Sequence, residues 1–291
     1  MDNQTNIWFE EECNGFCSQR FRIKKTLFSG KSKYQKIDIF ESIGHGKILV
    51  IDGFVMLTER DEFIYHEMIS HVPIFTHPNP RKVLVIGGGD GGTAREVLRH
   101  RNVEFCTMVE IDEMVVEVCK KFLPITASEL DNERLNLIID DGIKFVAETE
   151  ERFDVVIIDS TDPIGPAEPL FGKEFYCNVN KILNDPGIVV AQGESPFYDP
   201  QIQVCMLKNQ KESFPGIHMY NFANLSYPGG FWTFTFSAKG VSPLKDFDEK
   251  KVLDAKMPFK YYNSSLHKAA FALPQFMLDN YKDYLTELIE P

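Results

Sequence analysis

Five acids stand directly behind short apolar runs. Asp90 lies in Gly87-Gly88-Gly89-Asp90-Gly91-Gly92, Glu110 in Val109-Glu110-Ile111-Asp112 and Asp141 in Asp140-Asp141-Gly142. Asp159 and Asp162 share the stretch Asp159-Ser160-Thr161-Asp162-Pro163-Ile164-Gly165-Pro166. If the apolar runs are strands of an open α/β sheet, these acids occupy the strand ends where such sheets bind ligands. Glu110 could there accept hydrogen bonds from both hydroxyls of a ribose, and Asp141 from an adenine amino group, with Gly142 letting the base lie close. Asp141 reads equally as the N-cap of the following helix, a position that favours aspartate. The loop of Asp159 and Asp162 contains no lysine or arginine to neutralise it and so suits ammonium groups, although Ser, Asp and Pro also build plain turns. Transfer of a carbon group to an amine needs a neutral nitrogen, and alkylamines are mostly protonated near neutral pH. One carboxylate can take that proton while a second holds a distal ammonium. The sequence alone does not assign the two duties.

These acids need a framework. From residue 7 to about 58 the chain alternates on a two-residue period, as in Tyr34-Gln35-Lys36-Ile37-Asp38-Ile39-Phe40, with Gly44-His45-Gly46 and Asp52-Gly53 between runs. Half-buried antiparallel strands joined by turns follow. A helix carrying Tyr65, Met68, Ile69 and Val72 leads to His77-Pro78-Asn79-Pro80, read as a domain boundary. The division expected is an N-terminal β-strand domain over 1–76 and a catalytic domain over 77–291. Beyond the boundary strand and helix alternate, from Val83-Leu84-Val85-Ile86 to a last strand near 231–237, which predicts parallel strands with helical crossovers. The fold class expected is α/β, a Rossmann-like doubly wound sheet preceded by a small antiparallel β-domain.

The glycine loop narrows the ligand. Gly87, Gly89 and Gly92 satisfy GxGxxG after a strand, so an NAD site must be weighed. Asp90 argues against it, because its carboxylate would meet the doubly negative pyrophosphate at a cost of about several kcal/mol. A nucleoside with positive charge, such as an adenosyl sulfonium, fits better.

Bulk properties exclude other classes. The 291 residues carry 31 Lys+Arg against 43 Asp+Glu, a formal charge of -12, without a basic cluster to track phosphates, so no nucleic acid is expected. The six cysteines form no CxxC pair and lack histidines at zinc-site spacing, which reads as reduced thiols. The start Met1-Asp2-Asn3-Gln4 lacks the features of a signal peptide, and no apolar stretch is long enough to span a bilayer. The cytoplasm is the expected address, with no membrane partner.

Together, the glycine loop, Val109-Glu110-Ile111-Asp112, Asp141-Gly142, Asp159-Ser160-Thr161-Asp162-Pro163 and Tyr227-Pro228-Gly229-Gly230 resemble the spermidine synthase family of polyamine aminopropyltransferases, in order from about residue 8 to the C-terminus. The resemblance implies transfer of the aminopropyl group of decarboxylated S-adenosylmethionine to putrescine, giving spermidine and 5'-methylthioadenosine. It implies Gln35, Asp90, Glu110, Asp141, Gly142 and Pro166 on the donor, with Asp90 holding the aminopropyl ammonium. Asp159 is then the proton acceptor. Tyr65, His66, Asp90, Asp159, Ser160, Thr161, Asp162, Gln192 and Tyr227 are expected along the polyamine. Glu194, in Ala191-Gln192-Gly193-Glu194-Ser195, resembles a residue near the far end of the diamine. The donor is a co-substrate, so no cofactor and no metal are expected. A homodimer is implied as well.

Alternatives stay open at this point. The acceptor could be cadaverine, agmatine or spermidine, and an amine N-methyltransferase using intact S-adenosylmethionine would share much of the sheet. A noncatalytic polyamine-binding protein is a third reading. His66 could be a packed helix histidine, and the aromatic residues read mostly as core. The proline-rich stretch after Asp159 is expected to lack regular structure and, over 159–172, to become ordered when donor binds.

Overall fold

The computed structural model describes residues 6–162 and 165–286, and the side chains of 165 and 166 fall outside that description. The first five strands are β1 (Ile7–Cys13), β2 (Cys17–Lys31), β3 (Lys36–Ser42), β4 (Lys47–Ile51) and β5 (Phe54–Thr58), in one antiparallel sheet in chain order. Asp52 and Gly53 both take positive φ between β4 and β5, as a tight hairpin turn between twisted strands requires. The sheet is buried on both faces for different reasons. Ile37, Ile39, Leu49, Ile51 and Leu57 join the main core, while Phe21, Ile23, Ile48, Val50 and Val55 form a small cluster of their own.

After helix α1 (Glu62–Thr76), a seven-stranded sheet is built from β6 (Lys82–Gly87), β7 (Phe105–Glu110), β8 (Leu135–Ile139), β9 (Phe153–Asp159), β10 (Leu183–Gln192), β11 (Gly216–Ala223) and β12 (Phe231–Lys239). Its order is β11-β12-β10-β9-β6-β7-β8. The connecting helices are α2 (Gly92–Leu98), α3 (Glu113–Phe122), α4 (Gly142–Glu148), α5 (Lys173–Ile182) and α6 (Pro200–Lys211). Alternation along the central strands divides the core. Val83 and Val85 of β6, with Val155 and Ile157 of β9, join the main core, whereas Leu84, Ile86, Val156 and Ile158 join a second core that includes residues of α5 and α6. A strand covered on both faces must be apolar at every position, which is why these runs read as continuous hydrophobic segments.

The expected alternation of strand and helix holds as far as α6. It then fails, because β11 and β12 follow each other without a helix and pair as an antiparallel hairpin, and β12 runs antiparallel to β10. Three short helices near the end of the chain were not anticipated: α7 (Glu249–Ala255), α8 (Ser264–Ala270) and α9 (Gln275–Tyr281). The stretch after Asp159 also differs from expectation, since Gly165–Phe171 forms a 3-10 helix. Among the described residues no helix is long and apolar enough to cross a membrane.

Candidate functional site

Strand order reverses between β6 and β9, and at that switch point Gly87 pairs with Asp159. The glycine is needed there: its φ is +82°, and a Cβ would stand 2.2 Å from the Asp159 carbonyl oxygen. Gly88 then donates its N–H to that carbonyl at 2.9 Å. Over the switch point, between the two sheets, lies a cavity of about 210 Å³. Acids from Glu11 to Asp162 line it, and among the described residues no lysine or arginine does.

At the β7 end, Glu110 is buried and accepts the Asp112 N–H at 2.8 Å. Burial, and secondarily Asp112, pushes its carboxyl up to about 7, partly offset by backbone N–H donors. Asp112 caps α3 by accepting the Met114 N–H at 3.1 Å, while its other oxygen accepts from Ser32 Oγ at 2.6 Å and Gln35 Nε2 at 3.0 Å. One carboxylate therefore joins the antiparallel sheet to a helix of the larger unit. Asp141 does cap α4, with Oδ1 accepting the N–H of Ile143 at 2.8 Å, yet it also lines the cavity beside Gly142. A Cβ on Gly142 would meet Ile86 Cγ2 at 2.6 Å. The Pro166 side chain lies outside the described residues.

Asp90 is not alone in its loop. Its Oδ1 accepts the Gly92 N–H at 2.8 Å and faces His66 Nε2 at 3.3 Å, while His66 Nδ1 meets Glu62 Oε2 at 2.6 Å. Arg95 completes the chain, donating to both Glu62 oxygens at 2.8 and 3.2 Å. Burial opposes the charge of His66, but Asp90 and Glu62 outweigh it and lift the ring to about 10. Burial likewise opposes the charge of Glu62, and His66 and Arg95 hold it down at about 2. Two carboxylates thus favour the protonated ring of His66, which also lines the cavity. Ligand atoms of His66, Asp90 and Asp159 lie within 4.8 Å of one another, close enough for a metal. A ring protonated on both nitrogens has no lone pair to offer one.

Asp159 accepts from Tyr65 Oη at 2.8 Å through Oδ1 and from Thr93 Oγ1 at 2.6 Å through Oδ2. Burial and then Asp90 raise its carboxyl, and His66, Thr93 and Tyr65 restrain the rise. The result is a carboxylate more basic than usual, held in place by two hydroxyls.

At the β10 end, Gln192 Nε2 donates to Asp162 Oδ1 at 3.2 Å and to Glu194 Oε1 at 2.7 Å. Burial and then Asp199 lift Asp162 to about 6. Tyr227 does not present a free hydroxyl proton, because its Oη donates to the Met56 carbonyl at 2.9 Å. Only its lone pairs are left for a ligand.

The structure brings Gln35, Tyr65, His66, Asp90, Glu110, Asp141, Gly142, Asp159, Ser160, Thr161, Asp162, Gln192 and Tyr227 to one cavity wall. Sequence reasoning missed Glu11, Thr93 and Trp232. Glu11 is 4% exposed, lines the cavity, and leaves Oε2 without a partner; burial lifts it to about 8. Its neighbours Glu10 and Glu12 make the run look like a solvated edge, and only the apolar Phe9 and Cys13, two residues to either side, hint that alternate positions turn inward. Trp232 Nε1 and Ser160 Oγ are also buried and unpartnered on the same wall.

Comparison with known proteins finds the spermine/spermidine synthase domain model matching residues 62–249 and the spermidine synthase tetramerisation domain model matching 7–59. A polyamine aminopropyltransferase of Methanocaldococcus jannaschii is 49% identical over 98% of this chain and 98% of its own length. One of Clostridium kluyveri is 46% identical over 94% of this chain and 98% of its own. Among solved structures, a spermidine synthase in complex with the transition state analogue AdoDATO superposes with a TM-score of 0.93 at 42% identity, covering 95% of both chains. The spermidine synthase of Thermotoga maritima gives 0.91 at 42% identity, covering 95% of this chain and 94% of the other.

Proposed function

Because the chain belongs to the spermine/spermidine synthase family, we propose that it transfers the aminopropyl group of decarboxylated S-adenosylmethionine to putrescine, releasing spermidine, 5'-methylthioadenosine and a proton. The observation that carries this reading is the cavity itself, rich in carboxylates and, among the described residues, without lysine or arginine on its wall. Such a site favours a sulfonium with an ammonium tail over ordinary S-adenosylmethionine, whose carboxylate would face Asp90 and its neighbours.

In this reading Glu110 takes the ribose hydroxyls, with Gln35 alongside, and Asp141 and Gly142 meet the adenine. Asp90 holds the aminopropyl ammonium. The acceptor lies between Tyr65 and Tyr227, with Asp162, Gln192 and Glu11 toward its distal end. Asp159 is the catalytic residue: it orients the attacking amine and takes its proton as the nitrogen bonds to the methylene carbon. The carbon–sulfur bond breaks at the same time, and its electron pair neutralises the sulfonium. The sulfur is already a good leaving group, so aligning nitrogen, carbon and sulfur supplies much of the acceleration. No cofactor or metal is assigned to the step.

The match to a tetramerisation domain model supports an oligomer formed through the antiparallel sheet, whose β1 leaves Ile7 and Trp8 exposed. We expect at least a homodimer, in the cytoplasm, with small molecules as its substrates. Product analysis by mass spectrometry tests the reaction. Decarboxylated and intact donors are each offered with putrescine, cadaverine, agmatine and spermidine. Spermidine from putrescine and the decarboxylated donor is the expected outcome, and a methylated amine from the intact donor would replace this reading.

A further inference from the structure

Glu194 is 2% exposed, lies just past the end of β10, and has a φ of +61°, a conformation rare for a residue with a side chain. Neighbouring side chains pin it there. Gln203 Nε2 donates to the carbonyls of Gly193 and Glu194 at 2.6 and 3.1 Å, and Thr233 Oγ1 donates to the same two at 2.7 and 3.0 Å. The Glu194 N–H donates to Gln192 Oε1 at 2.6 Å. The bend turns the carboxyl back onto the Gln192 amide, whose single nitrogen contacts one oxygen of Glu194 and one of Asp162. Both acids therefore accept from the same amide nitrogen. Two ionised carboxylates brought together on one amide, with no cation beside them among the described residues, repel each other, and one proton held by the pair relieves that repulsion.

The surroundings offer no other compensation. Glu11 reaches Asp162 from β1, Asp199 faces both acids from the start of α6, and Tyr227 comes from the loop between β11 and β12. Among the described residues none of Glu11, Asp162, Glu194 and Asp199 is in an ion pair. Glu11 Oε2, buried on the cavity wall, has no hydrogen-bond partner.

We infer that Asp162 and Glu194 share one proton in the free protein, and that the distal ammonium of an amine acceptor displaces it, so that acceptor binding expels a proton to solvent. The displacement rests on the proposed function; the shared proton does not. The balance is simple: the pair passes from one negative charge to two as the proton leaves, and the ammonium brings one positive charge in. Burial and then Asp162 raise Glu194 well above the ordinary carboxyl range, a direction that favours the proton on the pair. Glu194, absent from the cavity wall, acts through Gln192 and Asp162 as a positioning residue.

Calorimetric titration of putrescine into protein saturated with 5'-methylthioadenosine, in two buffers of different ionisation enthalpy near neutral pH, counts the protons released. The expected count is larger by about one per site in the wild type than in Glu194→Gln, with putrescine still bound. Binding with no buffer dependence in the wild type overturns the inference and leaves the transfer reaction standing. No putrescine binding and no aminopropyl product would instead defeat the functional reading and, with it, the displacement. The shared proton is then judged by infrared spectroscopy of the free protein, where a protonated-carboxyl band present in the wild type and missing from Glu194→Gln is expected. Absence of that band from the wild type overturns it. If Glu194→Gln fails to fold, Asp162→Asn serves as the second variant, since it also removes one of the two groups that share the proton.

Discussion

Asp159 keeps both carboxylate oxygens on hydroxyl donors, Tyr65 and Thr93, while burial and Asp90 make it a stronger base than a solvated aspartate. Asp159→Asn preserves the shape, turns an amide nitrogen toward one of the two hydroxyls and cannot take a proton. Transfer should slow by roughly 10²- to 10⁴-fold, measured in single turnovers, with 5'-methylthioadenosine affinity nearly unchanged; wild-type turnover would remove Asp159 from its role. His66 makes a different prediction. Its ring is lifted from 6.5 to about 10, so its stabilising contribution is complete below pH 6.5 and is lost as pH rises through 10. Urea unfolding of wild type and His66→Gln should differ by on the order of a few kcal/mol near neutral pH. The gap should close toward pH 10. A constant gap would mean that the ring is neutral. The acids at the strand ends were legible in the sequence because motif and strand context coincide. The charge of His66 was not, since it comes from Glu62 one helical turn away and from Asp90 across the glycine loop.

Among the elements, the turn from β6 to α2 is the least tolerant. Gly87 has positive φ, and an added Cβ would strike the Asp159 carbonyl oxygen, a backbone atom that cannot swing aside. Gly87→Ala should therefore destabilise by about 2–4 kcal/mol, seen as a lower denaturant midpoint, and should abolish transfer by moving β9 away from β6. A folded, active Gly87→Ala enzyme would contradict this register. Most elements were readable because parallel strands covered on both faces leave continuous apolar runs, as in Val83-Leu84-Val85-Ile86. The β11–β12 hairpin was misjudged because β12, flanked by β10 and β11, is buried along nearly its whole length like a parallel strand, even though Thr233, Thr235 and Ser237 alternate with its aromatic residues; its direction is set by a short connection and not by composition. The seven-residue helices α7 to α9 show too few turns for periodicity to register.

At the scale of the whole molecule, a formal charge of -12 surrounds a cavity lined by carboxylates. A field of that sign draws cations inward, and salt screens it. The kcat/KM for the diamine should fall several-fold between low and high ionic strength, with a much smaller change in kcat. Equal loss in both would point to an effect on the transfer step. Side-chain hydrogen bonds link the two sheets. Asp61 accepts from Thr58 Oγ1 and from the Leu225 and Ser226 N–H groups, which fastens the loop carrying Tyr227 to the start of α1.

Asp112 extends the same principle to modularity. Its carboxylate starts α3 with one oxygen and receives Ser32 and Gln35 with the other, next to Glu110. The antiparallel sheet is therefore not an interchangeable attachment. A chimera that borrows this segment from a relative must bring donors matching Ser32 and Gln35, or it will leave a helix cap half-paired beside Glu110 on the cavity wall. Shuffling of such proteins is better cut elsewhere than between these three residues.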